Sequence, residues 1–170
     1  RSSIRSGKAI ALGSRLRKCR NVLTLGVRTN LTDYSPQARE LINNAKKIYY
    51  PSEFFADLFD TIGKPTFPSY HTYKCVMDKI KQTALFTLLD IPHPRTHVFY
   101  GRRPQEKICR KFKFPFIAKI PRGSAMGRGV FLVRDAADLQ TYLDRAHPAY
   151  IQELIPIDRD IRVVVIGDRI

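Results

Sequence analysis

The sequence has little cysteine and no long apolar run. Its three cysteines, Cys19, Cys75 and Cys109, are far apart, odd in number and form no Cys-x-x-Cys pair. Neither a disulfide framework nor a zinc site is therefore indicated. No stretch approaches the length of a transmembrane helix, and the N-terminus lacks the apolar core of a signal peptide. We therefore expect a protein of the reducing cytoplasm that is not attached to a membrane.

Acidic residues are missing from the first twenty positions. This segment contains seven lysines and arginines, in a chain whose net charge is +15. Such a charge favours an anionic partner, for example a nucleotide, a nucleic acid or an acidic peptide. The segment is predicted to form one basic amphipathic helix or to stay mobile. It also lacks Tyr and Phe, which disfavours sequence-specific binding of nucleic acid, and its thin apolar face makes a membrane-surface helix the least favoured reading.

The rest of the chain is patterned as an α/β protein. A strand–helix–strand–helix order over residues 21–62 predicts a small α/β unit, with helices that begin at Ser35 and Ser52. The proline-broken stretch KPTFPSY predicts a domain connection, and one long helix is predicted over residues 71–89. A helix over 104–112 and another capped by Asp135 are also predicted. The predicted strands that follow the long helix are HVFY, FPFIAKI, GVFLV, AYIQELI and DIRVVVIG.

The stretch KIPRGSAMGRGV places three glycines between two apolar strands. A Walker loop needs Gly-Lys-Ser/Thr leading into a helix, and a dinucleotide fingerprint needs a glycine that opens a helix. Neither condition is met here. The remaining interpretation is a glycine-rich hairpin whose backbone N–H groups close over phosphate oxygens. An ordinary flexible hairpin is the alternative.

Lys119 ends the strand that precedes this loop. Strand alternation places Phe116 and Ala118 on one face, and Ile117 and Lys119 on the other. A buried lysine at this position would be paired with an anion. The alternative is a lysine that reaches solvent from an edge strand.

Three further features are ambiguous by themselves. Lys79 flanks the apolar stripe of the predicted 71–89 helix, where a solvated charge is the more common reading. The stretch IQELIP interrupts a strand with polar residues, as a hinge between lobes or an edge strand would. Asp160 and Arg162 lie two apart on one predicted strand, where a cross-strand salt bridge is the plain alternative.

Taken in order, four stretches resemble the ATP-grasp superfamily and, within it, the RimK-type glutamate ligases. These stretches are MDKIKQTALFTLLDIPHPRT, FPFIAKIPRGSAMGRGV, YIQELI and DIRVVVIG. The resemblance implies an α/β fold, with an ATP site between two α+β lobes and the glycine hairpin as its lid. The implied regions are a basic segment (1–20), a small Rossmann-like pre-ATP-grasp unit (21–70), an N-terminal lobe (71–156) and the start of an incomplete C-terminal lobe (157–170).

The resemblance also implies the residues of the ATP site. Lys79 and Lys119 would contact the phosphates, and Lys119 would also lie near the base. Glu153 and Leu154 would take the hinge position that hydrogen-bonds adenine, and Asp160 would lie near the ribose. The phosphates would further be covered by the loop residues Gly123, Ser124, Gly127 and Gly129.

The family's magnesium ligands and the residues that hold its acyl phosphate come after the last residue of this sequence. No metal ligand is therefore assigned in this chain. No catalytic residue is assigned either, although Arg162 matches a family position. The sequence stops just past the turn that follows the last predicted strand, so the partner strand of this hairpin would be missing. We accordingly expect a longer protein, or a remainder that is disordered.

The implied reaction joins a carboxylate to an amine with ATP and Mg²⁺, through an acyl phosphate. Its partners would be ATP, a carboxylate acceptor such as a peptide end, and an amino-acid donor such as glutamate. A homo-oligomer is compatible with the sequence. The alternative is a basic module with a vestigial ATP site, which binds RNA, the ribosome or an acidic protein through residues 1–20.

Overall fold

The computed structural model describes residues 7–124, 127–161 and 163. They form two compact units that divide between Met77 and Asp78. In the described residues, no helix is both long and apolar enough to cross a bilayer. The exact limits of the four regions inferred from the sequence stay a prediction.

The first unit is a parallel four-stranded sheet in the order β2-β1-β3-β4, covered by helices. Its strands are β1 (Ala9–Ala11), β2 (Val22–Thr24), β3 (Ile48–Tyr49) and β4 (Thr66–Phe67). Its helices are α1 (Pro36–Asn44), α2 (Glu53–Thr61) and α3 (Tyr70–Val76). Ile10 and Ile48 of the sheet pack with Ile42 of α1 and with Phe55 and Phe59 of α2. The predicted small α/β unit is confirmed, with more strands than the pattern indicated.

Two predictions for this unit are wrong. Residues 9–11 form a strand between β2 and β3 instead of part of a basic helix. A central parallel strand is buried on both faces, so its residues are all apolar and do not alternate. Such a short apolar run cannot be distinguished from part of a helix by its periodicity. The supposed connection KPTFPSY contains β4, which pairs with β3 at the edge of the sheet, where neighbouring prolines are tolerated.

The two helix starts predicted in this unit differ in their chemistry. At α1 the Ser35 hydroxyl accepts a hydrogen bond from the N–H of Ala38, as an N-cap should. At α2 Ser52 occupies the capping position with a positive φ of 74°, and its side chain makes no such bond. The position of the helix was predictable, whereas the capping bond was not.

The second unit is an antiparallel sheet in the order β5-β8-β6-β7. Its strands are β5 (Thr96–Phe99), β6 (Phe116–Lys119), β7 (Val130–Val133) and β8 (Ala149–Glu153). Its helices are α4 (Lys79–Leu88), α5 (Pro104–Lys111) and α6 (Ala136–Leu143). Of the predicted strand DIRVVVIG, Asp160 and Ile161 are not in a strand, and most of the remainder lies outside the described residues.

The two faces of this sheet differ in burial. Phe116 and Ala118 of β6 point to the face that α5 and α6 cover, and there they join a core with Ile108 and Leu139. Ile117 and Lys119 alternate with them and are only partly buried. Val130 and Leu132 of β7 pair with Lys119 and Ile117, share their face and are 45% and 47% exposed. The sheet therefore has a packed face and a less covered face, here called the open face, where the Tyr150 hydroxyl meets Thr83 of α4. The alternation in FPFIAKI correctly predicted which residues share a face.

The single helix predicted over residues 71–89 is two helices. Asp78 leaves the helical conformation at φ −131° and ψ 101°, and its side chain accepts hydrogen bonds from the N–H groups of Ile80 and Lys81. It is therefore the N-cap of α4. The apolar positions on both sides keep helical spacing across the break, so periodicity alone did not reveal it.

A buried hydroxyl joins α6 to the centre of this sheet. The Tyr142 hydroxyl accepts the Tyr150 N–H at 2.8 Å and lies 2.8 Å from the Lys119 carbonyl oxygen, to which it donates. Burial raises the pKa of Tyr142 to about 12. The hydroxyl therefore stays protonated and able to donate at neutral pH.

We expect Tyr142→Phe to lower the free energy of unfolding by about 1–3 kcal/mol, because it leaves buried polar groups of β6 and β8 without this partner. Urea denaturation followed by circular dichroism measures the change. Tyr100→Phe removes a hydroxyl from an exposed ring of the same unit and serves as the control. Equal unfolding midpoints for the two variants would contradict the role of the Tyr142 hydroxyl.

Candidate nucleotide-binding site

Lys119 lies on the open face of the sheet. Its Nζ donates to Gln152 Oε1 at 2.6 Å. Burial lowers the pKa of Lys119, and the positive charge of Lys79 lowers it further. The edge-strand alternative is wrong, since β6 pairs on both sides, with β7 and β8. The partner is a neutral amide and not an anion, so the charge of this half-buried ammonium is not neutralised by Gln152.

Gln152 holds this ammonium in place. It is only 8% exposed, and its Nε2 donates to Thr96 Oγ1 at 2.9 Å. The Thr96 hydroxyl in turn donates to the Pro94 carbonyl oxygen at 2.7 Å. This chain of bonds turns the amide oxygen towards Lys119. The sequence reading treated Gln152 only as an interruption of a strand. No local pattern of the sequence could have found this contact, because it depends on β8 lying beside β6.

Lys79 is the first residue of α4. Its Nζ donates to the backbone oxygen of Ser124 at 2.8 Å and to the Ser124 hydroxyl at 3.0 Å. Burial lowers the pKa of Lys79, and the nearby charge of Asp78 opposes that effect. A cation in the first turn of a helix also lies at the positive end of the helix dipole. An anion bound beside Lys79 would offset both the burial of its charge and the repulsion by the helix dipole.

Asp78 fixes the base of the glycine hairpin to α4. Its carboxylate lies 2.9 Å from Arg122 Nε, and the Lys79 N–H donates to the Pro121 oxygen at 2.9 Å. Burial alone would raise the pKa of Asp78. Hydrogen bonds from Arg122 and from the start of α4 outweigh this effect, so the pKa is lowered. Sequence reasoning missed this anchor because it ran a helix through Asp78.

The glycine-rich segment joins β6 to β7 as an antiparallel hairpin, as predicted. Gly123, Gly127 and Gly129 all have positive φ, between 68° and 77°. Gly129 also closes the hairpin, because its carbonyl oxygen accepts the Ile120 N–H at 2.7 Å. The covering of phosphates by the loop N–H groups stays a prediction.

Glu153 and Leu154 lie at the end of β8. The Glu153 side chain alternates with Gln152 and so points away from the open face. Its carboxylate accepts the Arg95 N–H at 2.6 Å, and its own N–H donates to the Arg95 oxygen at 2.9 Å. The predicted contact with adenine would therefore use the Glu153 carbonyl and the N–H of Leu154, which is 41% exposed. That contact stays a prediction.

Taken together, the open face offers what a nucleoside triphosphate requires. Among the described residues, no carboxylate lies within 4.0 Å of the ammonium of Lys79 or Lys119. Apolar side chains of β6 and β7 lie on the same face and offer a surface for a flat base. Positive charge, glycine N–H groups and an exposed apolar surface are therefore compatible with ATP.

The sequence matches the model of one protein family, the RimK-like ATP-grasp domain, over residues 76–170. This match covers more than half of the chain. The chain belongs to the RimK-like ATP-grasp domain family. The expected family and the expected α/β fold class are thereby confirmed.

The chain is also similar in sequence to curated proteins, and solved structures share its fold. The chain is 29% identical over 92 residues to the N5-carboxyaminoimidazole ribonucleotide synthase of Synechococcus elongatus, which covers 53% of this chain and 23% of that protein. A RimK domain ATP-grasp protein from Sphaerobacter thermophilus superposes with a TM-score of 0.65 at 16% identity, covering 89% of this chain and 65% of that one.

A further solved structure of this fold contains a nucleotide. The N5-carboxyaminoimidazole synthetase of Staphylococcus aureus, solved with ADP, gives a TM-score of 0.63 at 13% identity and covers 88% of this chain and 41% of that one. The present chain spans about a fifth of the length of the curated relatives that it matches.

The structure does not bring all predicted site residues of this ATP-grasp chain together. Lys79, Ser124 and Gly129 lie in one cluster, and Lys119 faces the same side of the sheet. Asp160 is exposed and, in the described part of the chain, makes no hydrogen bond to either lysine. Arg162 lies outside the described residues. Within those residues, no three His, Cys, Asp or Glu side chains are grouped as a metal site would require.

Proposed function

We propose that this chain supplies the nucleotide-holding part of an ATP- and magnesium-dependent carboxylate–amine ligase that works through an acyl phosphate. The observation that carries the proposal is the pair of desolvated ammonium groups, Lys79 and Lys119, beside the glycine hairpin. Burial lowers the pKa of both, and a bound anion would favour the charged form of each.

The reaction needs charge neutralisation more than side-chain nucleophiles. A carboxylate oxygen attacks the γ-phosphorus of ATP, the bond to the ADP oxygen breaks, and an acyl phosphate forms. An amine nitrogen then attacks the acyl carbon, phosphate leaves, and loss of a proton gives the amide. Lys79, Lys119 and the loop N–H groups would hold the phosphates and offset their charge, which is the main demand of phosphoryl transfer.

The proposed substrates are an amino acid, with glutamate as the first candidate, and a peptide or small carboxylate as acceptor. Support comes from membership in the RimK-like family. Mg²⁺ is part of the proposal because ATP reacts as its magnesium complex in such chemistry. Its ligands are proposed to lie outside the described residues. Residues 71–156 would serve as the N-terminal lobe, preceded by the small unit at 21–70.

The binding-module alternative receives no support. It requires residues 1–20 to act as an independent basic segment. Instead β1, at Ala9–Ala11, pairs on both sides within the first sheet. The basic residues around it therefore flank a structural strand.

Trapping of the acyl phosphate would test this function in the full-length protein. Hydroxylamine replaces the amine, and ATP, Mg²⁺ and a panel of glutamyl peptides and small carboxylates supply the rest. We expect ATP-dependent hydroxamate with at least one acceptor. ATP binding without any hydroxamate would overturn the ligase reaction and leave the nucleotide site intact. Absence of ATP binding, measured by calorimetry, would overturn both.

A further inference from the structure

A second concave site lies on the packed side of the antiparallel sheet, behind the end of β8. Its volume is about 390 Å³, and Arg95, Lys111, Lys113, Phe112, Phe116 and Glu153 are among its lining residues. We call it the rear pocket. Phe116 and Glu153 pair with each other and alternate with Ile117 and Gln152, so the rear pocket and Lys119 are on opposite faces of the sheet.

The rear pocket has an excess of positive charge. Its three cations face one carboxylate, that of Glu153. That carboxylate is 3.7 Å from Arg95 Nε and is held more closely by the Arg95 backbone N–H, at 2.6 Å. In the described residues, Lys111 and Lys113 have no carboxylate within 4.0 Å. Lys111 Nζ instead lies 2.9 Å from the His97 ring.

One cation of the pocket is already oriented. The Arg95 guanidinium lies 4.5 Å from the centre of the Phe112 ring, and its Nη1 donates to the Lys111 oxygen at 3.1 Å. An arginine held in this way loses little further freedom when it binds a carboxylate or phosphate through its planar fork. Phe112 and Phe116 also line the pocket, but they are only 2% and 1% exposed and so offer a ligand almost no apolar surface.

We propose that the rear pocket binds the phosphate group of a small phosphate monoester through Arg95, Lys111 and Lys113. The volume falls within the range of about 300–1,000 Å³ that is usual for small-molecule sites. Glu153 and Leu154, the predicted contacts of adenine, also line the rear pocket, but Phe116 and Glu153 lie on the face opposite Lys119, so the pocket is distinct from the site of the ATP phosphates. Three cations around one concave surface match the charge of a phosphate group.

The test uses phenyl phosphate as the probe, titrated by calorimetry into the protein saturated with a non-hydrolysable ATP analogue. Wild-type protein is expected to bind one equivalent. The double variant Lys111→Gln, Lys113→Gln is expected to bind at least about tenfold more weakly, because it loses two charge-assisted contacts. The matched control, Lys107→Gln with Arg110→Gln, removes the same charge from exposed positions of α5 that do not line the pocket.

Three results would overturn the proposal. One is the absence of saturable binding of phenyl phosphate to the wild-type protein. A second is an equal loss of affinity in the pocket variant and in the α5 control, which would indicate general attraction to a basic surface. Phenol, which lacks the phosphate, is expected not to bind, and equal binding of phenol would likewise exclude an anion site. None of these binding measurements depends on ligase turnover. A negative result for the rear pocket can therefore be distinguished from a negative result for the proposed ligase function.

Discussion

Replacing Lys119 with alanine is expected to weaken ATP binding about 10- to 100-fold. A hydrogen bond to a charged group contributes about 1.5–3 kcal/mol, and 1.4 kcal/mol corresponds to a tenfold change in affinity. The loss of affinity should exceed that caused by removing a surface lysine, because Lys119 is half-buried and already oriented by Gln152. Calorimetric titration with ATP measures it.

Lys81→Ala is the matched control for this experiment. Lys81 carries the same charge on α4, but its side chain is exposed. We expect its affinity for ATP to stay within about twofold of wild type, since an exposed charge is screened by solvent and salt. Thermal unfolding of both variants shows whether the sheet is intact. If Lys119→Ala binds ATP as tightly as Lys81→Ala does, Lys119 is not part of the phosphate site.

Those parts of the site that depend on local pattern could be predicted from the sequence. Alternation within FPFIAKI correctly separated the packed residue Ala118 from Lys119 on the open face. The glycine spacing correctly indicated a hairpin between two strands and excluded the phosphate loops that open a helix. Both inferences use only neighbouring residues and the period of two in a strand.

Contacts between distant residues could not be predicted in this way. Gln152 meets Lys119 and Thr96 only because β8 lies between β5 and β6, an order that no local pattern specifies. The pairing of Asp78 with Arg122 likewise joins residues that are far apart in the chain. The direction of the Glu153 side chain also depends on the register of β8 against β6.

Gly129→Ala is expected to weaken ATP binding more than any other substitution of a single loop glycine. Gly129 has a φ of +74°, and a Cβ there would lie 2.7 Å from Ile120 Cγ1 and 3.0 Å from the Ser124 hydroxyl oxygen. That hydroxyl accepts a hydrogen bond from Lys79. The methyl group would therefore push the loop away from Lys79 and from its place beside the phosphates.

Gly127→Ala separates the two causes of this effect. Gly127 has a similar φ of +77°, but none of the described residues has an atom within 4 Å of the Cβ that it would carry. Both variants bear the strain of a left-handed alanine, and only Gly129→Ala adds the clash. Overpacking costs about 1–3 kcal/mol, so we expect Gly129→Ala to bind ATP roughly 5- to 150-fold more weakly than Gly127→Ala. Equal affinities would mean that ATP binding does not require the hairpin to lie against Ile120 and Ser124.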